Sequence, residues 1–130
     1  MAVLARLCRA HPFRCASVEA STGCWRSLKD RPAFRDCWDE ASRHDPIAHL
    51  DGWREIPLLS VNARLDEWVP FAGQAEFIAA LRERYGQPDL VELVEYGRTG
   101  APNEHAGFGR KTADAKRRQL EFFRRWLVEG

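Results

Sequence analysis

The sequence predicts an α/β fold built on a parallel sheet. Three observations carry this: a continuous apolar run, IPLLSVNA (56–63); a second strand-like run, LVELVEYG (90–97); and a helical stretch after each, at 71–86 and 113–130. Strand, helix, strand, helix is the order in which crossovers join parallel strands. The 130 residues suffice for one modest domain with a real core.

Taken in order, AVLARLCRA (2–10) places Val3, Leu4, Leu7 and Cys8 at helical spacing, giving a helix with one apolar stripe. His11–Pro12 stops it, because a proline disfavours helical geometry in the residue before it. FRCASVEAS (13–21) reads as a short strand of small residues. From Thr22 to Gly52 the periodicity dissolves, and Trp25, Phe34 and Trp38 stand among charges and two prolines. That segment is expected to form short helices and loops. The run 56–63 has the look of a strand buried on both faces. Residues 71–86 form an amphipathic helix with Phe77, Ile78, Leu81 and Tyr85 inward and Gly86 as its C-terminal stop. After the strand 90–97 and a loop 98–111, the last helix is expected to bury Ala115, Leu120, Phe123 and Leu127 or their neighbours.

Composition narrows the function classes. A formal net charge of +1 offers no basic face for nucleic acid and no polybasic patch for a membrane. No apolar run approaches the ~20 residues of a membrane span. The opening residues carry scattered charges and lack the apolar centre of an export signal, so a cytoplasmic location is the expectation. Cys8, Cys15, Cys24 and Cys37 contain no C-x-x-C pair and are expected to be reduced. His44 and His49 are five residues apart, which does not align two ligands on one helix face. No metal and no cofactor is expected.

In open α/β sheets, chemistry gathers in the loops at the carboxyl ends of the strands. The loop after strand 56–63, RLDEWVP, offers Asp66 and Glu67, of which Asp66 is the candidate partner. The loop after strand 90–97, with APNEHAGFG at 101–109, carries His105. Alone, Asp66 reads as a helix N-cap or a surface charge, and a single loop histidine as a solvated one. Together they stand one strand–helix unit apart, on loops that leave the same edge of the sheet. A carboxylate beside an imidazole fixes its tautomer and stabilises the imidazolium. Ala101, Ala106, Gly107 and Gly109 would let that loop approach a substrate closely.

The run IPLLSVNARLDEWVPFAGQAEFIAALRERYG, then LVELVEYGRTGAPNEHAGFG, then a basic helix ending FFRRWL, resembles the C-terminal part of α/β-hydrolases, closest to the prolyl oligopeptidase family. The likeness covers about residues 54–128. There an apolar strand, a small loop, Asp and Val-Pro are followed by a helix, a strand and a loop with His. Asn62 or Ala63 stands where the family usually has glycine, and His105-Ala106-Gly107-Phe108 where it often has H-G-F. The resemblance implies Asp66 as triad acid and His105 as general base of a serine-type peptidase or hydrolase acting on a peptide or ester. It implies that residues 1–130 are a partial catalytic domain, with 22–53 as a variable insertion that shapes the pocket.

The nucleophile should lie upstream in a G-x-S-x-G elbow. The only glycine before residue 52 is Gly23, so Ser17, Ser21 and Ser27 lack the flanking glycines. Cys24 is a conceivable nucleophile, although a buried or loop cysteine is the plainer reading. In the family the helix opened by the elbow ends near H-P, then F-x-A and a short strand, as MAVLARLCRAHPFRCASVEAS does. No cap precedes Ala2 as one would in a free-standing helix. The expectation is therefore a chain beginning just after its nucleophile, nearly inactive by itself and self-associating through an uncovered sheet edge. The competing expectations are a non-catalytic remnant that works as an interaction module, and a fragment of an esterase or dienelactone-hydrolase-like enzyme.

Overall fold

The computed structural model describes residues 2–129. Three strands form one parallel sheet in the order β1 (Ala16–Glu19), β2 (Leu58–Ala63), β3 (Val91–Tyr96). β1 runs beside β2 from Ala16↔Leu58 to Glu19↔Val61, and β2 beside β3 from Leu58↔Val91 to Ala63↔Tyr96. Every residue of the central strand β2 is buried, as a strand covered on both faces requires.

Alternation along the strands divides the core into two layers. On one face Leu58, Ala16 and Val18 meet Leu4 and Leu7 of helix α1 (Ala2–Leu7), with Phe77, Ile78 and Leu81 of helix α4 (Phe71–Arg84). On the other face Leu59, Val61 and Ala63 meet Phe108 and two residues of helix α5 (Thr112–Phe123), Ala115 and Phe122. Between β1 and β2 the chain forms two four-residue helices, α2 (Pro32–Arg35) and α3 (Trp38–Ala41), with tight turns before and after them. The result is a three-layer arrangement, helices on both sides of a parallel sheet, with the carboxyl ends of all three strands at one edge.

Elements are shorter than the sequence pattern suggests. Helix 2–10 ends at Leu7, where the Cys8 and Arg9 amides bond back three residues, to Ala5 and Arg6, and close the last turn. Strand 13–21 contracts to four residues, because Ala20 adopts a left-handed conformation (φ 48°) and turns the chain. Gly86 is not the stop of α4. Tyr85 leaves the helix in extended geometry, and its buried hydroxyl donates to Ile56 O (2.7 Å) while accepting from Trp53 Nε1 (2.6 Å). Two further expectations, the missing cap before Ala2 and the extension of the last helix to 130, involve Met1 and Gly130, which lie outside the described residues.

The last helix needs a second correction. Leu120 is 71% and Leu127 51% exposed, while Ala115 and Phe122 are buried. At about 100° per residue, Leu120 lies roughly 140° around the helix from Ala115, away from the sheet. Past Phe123 the chain widens into a π-turn over Arg124–Val128. Among the described residues, no helix is long and apolar enough to cross a membrane.

Candidate active site

Asp66 stands in the turn that leaves β2. Its Oδ1 accepts the backbone N–H groups of Trp68 and Val69, both at 2.8 Å, and so shapes the turn leading into α4. Its Oδ2 lies 2.8 Å from His105 Nδ1. The capping-like role and the pairing with histidine therefore hold at once, one for each oxygen. The side chain of Asp66 is 2% exposed and that of His105 24%. An ionised carboxylate only accepts, so Nδ1 carries the proton and Nε2 is the basic nitrogen of the neutral ring.

The histidine loop is bent by backbone that side chains seldom tolerate. Asn103, Glu104 and Phe108 have φ of 55°, 49° and 56°. Such left-handed residues persist only where their surroundings over-determine them. Here Glu104 supplies the restraint. Its carboxylate is buried and accepts from the Thr99 hydroxyl (2.7 Å), the Thr99 amide (2.7 Å) and the Gly100 amide (3.0 Å). Those bonds, the Thr99 hydroxyl first, hold its carboxyl down at about 2. Phe108 anchors the far side of the loop by packing on Tyr96, ring centroids 5.6 Å apart.

Two further hydrogen bonds join the acid loop to the histidine loop. Glu67 N–H donates to Asn103 O at 3.0 Å, and Asn103 Nδ2 donates to Glu67 Oε2 at 3.0 Å. The relation of Asp66 to His105 is thus fixed by backbone and side chain together.

His105 opens on a cleft of about 620 Å³, lined also by Leu28, Pro32, Phe34, Trp68 and Val69. Trp68 is 59% exposed and leans on the imidazole, centroids 5.1 Å apart. Arg31 borders the same cleft and donates to Glu67 O at 3.2 Å, so segment 22–53 touches the acid loop directly. Among the described residues, none donates to or accepts from His105 Nε2 within hydrogen-bond distance.

Behind the site runs a buried polar chain. Gly23 N–H donates to Gln74 Oε1 (2.8 Å), and Gln74 Nε2 donates to Ser60 Oγ (2.8 Å). Ser60 then donates to Asn62 Oδ1 (2.6 Å), and Asn62 Nδ2 to Ser21 O (3.1 Å). Asn62 thereby ties the end of β2 to the segment after β1. All four cysteines are free. Cys24 is buried, and its thiol is pushed up by that burial and then by Glu76, which suits packing better than attack.

Sequence reasoning singled out Asp66 and His105, and the structure brings them together. It missed Glu104, Gln74, Trp68 and Arg31 as parts of the surroundings. Glu104, adjacent to His105 in N-E-H, offered one signal, an acidic residue inside a loop otherwise made of small ones. Gln74 offered another, a polar residue on the inward face of an amphipathic helix.

A parallel sheet with helices on both faces, and a histidine and an aspartate on neighbouring carboxyl-edge loops, is part of an α/β-hydrolase fold. A solved acylaminoacyl peptidase from Pyrococcus horikoshii matches it with a TM-score of 0.62 at 20% sequence identity. The match takes in 95% of this chain and 22% of that one, so this chain spans about a fifth of that protein's length. Comparison with family models finds no match. Comparison with curated proteins finds none either.

Proposed function

We propose that this chain carries the acid and the general base of a serine hydrolase, a serine-type peptidase of the prolyl oligopeptidase family, and that the serine nucleophile comes from outside these 130 residues. The observation that carries the reading is the 2.8 Å bond between His105 Nδ1 and Asp66 Oδ2, made by a ring that borders an open cleft. The likeness in fold to an acylaminoacyl peptidase supports a peptide or ester as substrate. Segment 22–53 then shapes the substrate pocket, since Leu28, Pro32 and Phe34 line the cleft.

In this reading His105 Nε2 takes the proton of a serine hydroxyl as it attacks the acyl carbon. Asp66 holds the ring and stabilises the imidazolium that forms, and the same nitrogen then returns the proton to the leaving group. Half of the usual oxyanion hole is the N–H after the serine, so a chain without the elbow lacks that as well.

The test is labelling with a fluorophosphonate probe, applied to this chain and to a version extended by the coding sequence read upstream of Met1. The extended protein is expected to label at one serine, with His105→Ala and Asp66→Asn each lowering the rate at least a hundredfold, within the range general-base catalysis supplies. The 130-residue chain is expected to stay unlabelled. Stoichiometric labelling of one of its own serines or of Cys24, or equal labelling of the extended protein after His105→Ala, would overturn the assignment. An upstream reading with no G-x-S-x-G would favour the interaction-module account.

A further inference from the structure

A second cavity of about 620 Å³ lies away from His105, between α1 and the turns at 42–49. Its lining is cationic: Arg6, Arg9 and Arg43 with His44 and His49, and the indole of Trp25 beside them. Few negative charges answer them. Glu40 pairs with Arg43 (3.2 Å) and reaches His44 at 3.8 Å. Asp45, next to the lining residue His44, is buried and spends both oxygens on the amides of Trp25 (2.8 Å) and Arg26 (3.1 Å). Arg6 and Arg9 make no ion pair among the described residues. Arg9 instead donates to His44 Nδ1 (3.4 Å), and Arg6 to Ala10 O (2.7 Å). The charge of Arg6 is felt at His11, whose imidazole is driven toward its neutral form by burial first and then by Arg54 and Arg6.

Guanidinium groups present forked donors that match the oxygens of a phosphate. Trp25 is held in place by its Nε1–H bond to Thr22 O (3.1 Å) and offers a flat apolar surface next to them. A cavity of this size is within the range that encloses small-molecule ligands. We propose that this cavity binds a small phosphate monoester carrying a planar ring, with the phosphate on Arg6, Arg9 and Arg43 and the ring against Trp25. The seat is independent of the Asp66–His105 pair and of the hydrolase reading.

The test titrates the full chain with adenosine 5′-monophosphate, inorganic phosphate and adenosine, followed by calorimetry and by the indole N–H resonance of Trp25. The monophosphate is expected to bind saturably, at least tenfold tighter than adenosine, and to move the Trp25 resonance. Inorganic phosphate should compete for the same seat more weakly, having no ring to stack. Arg6→Ala combined with Arg9→Ala is expected to weaken the monophosphate at least tenfold, and Arg43→Ala alone severalfold. All three arginines are exposed, so cooperative melting should persist in these variants. His105→Ala should leave the affinity unchanged. Equal binding of adenosine and its monophosphate, wild-type affinity after the arginine replacements, or loss of binding with His105→Ala would each overturn the proposal.

Discussion

At the scale of single residues, two features of the histidine loop make contrasting claims. Gly109 and Gly107 both have positive φ, 45° and 88°. A Cβ at Gly109 would strike the carbonyl oxygen of Thr99 and stand 2.7 Å from Ala101 N, whereas at Gly107 nothing lies within 4 Å. Gly109→Ala should therefore cost the strain of the left-handed backbone plus roughly 1–3 kcal/mol of overpacking, and Gly107→Ala only about 1–2 kcal/mol of backbone strain. Denaturant midpoints of the two variants would decide the order. Glu104 gives a pH claim. Its carboxyl sits at about 2 in the fold against an ordinary 4.5, so its stabilisation is fully present above 4.5 and drains away as pH falls toward 2. The protection of the Thr99 and Gly100 amides against hydrogen exchange, relative to their intrinsic rates, should fall across that window, and Glu104→Gln should flatten the dependence. Asp66 and His105 were legible beforehand because strand direction and loop order suffice to bring them to one edge. Glu104 was not, since its partner lies five residues away in a loop with no period to read.

At the scale of elements, long periodic runs were readable and their ends were not. The four apolar positions singled out over 71–86 are all buried, three of them in α4 and Tyr85 just past its end, and β2 is enclosed throughout, because a pattern of many residues outweighs any one of them. Ends depend instead on local hydrogen bonds, such as the three-residue turns after Leu7, which leave no periodic mark. The face of α5 was misjudged for another reason: Leu120 and Phe122 are both large and apolar, and only packing on the sheet selects between them. Gln74 shows what element-level patterning overlooks. Gln74→Leu would fit the amphipathic rule better, yet it would strip the buried Gly23 N–H of its acceptor and leave Ser60 Oγ with its bond to Asn62 alone. An unpaired buried donor costs about 1–3 kcal/mol, so this substitution is expected to destabilise by that order despite its added apolarity. Chemical denaturation measures it directly.

Across the whole molecule, the three-layer fold leaves apolar residues in solvent. Leu120, Leu127 and Val128 are exposed along the end of the chain, and β1 is paired on one side only. Exposed apolar surface and an open strand edge both promote association. Concentration-dependent self-association is therefore expected, and Leu120→Glu with Leu127→Glu should weaken it in sedimentation equilibrium while leaving secondary structure intact. A monodisperse monomer over the accessible range would refute this. The function classes set aside on composition, nucleic-acid and membrane binding, were judged at this scale too, from charge and hydropathy summed over the chain. The overhang of α5 was not visible there, since it depends on how the layers cover each other.

The registers of the sheet bear also on the order in which it assembles. Val91 stands 33 positions after its partner Leu58, with the long helix α4 between them, while Leu58 stands 42 positions after its partner Ala16, with tight turns and four-residue helices between. Closing a loop costs entropy that local helix formation offsets only where a helix spans the gap. The unit β2–α4–β3 is thus expected to act as the folding nucleus, with β1 and α1 docking onto it late. In a kinetic experiment Ile78→Val should slow refolding, with φ above about 0.5, while Leu7→Ala should act mainly on the unfolding rate. The loop that carries Asp66 lies within that early unit and the loop that carries His105 follows directly after β3, so the acid is expected to be in place before the histidine closes onto it.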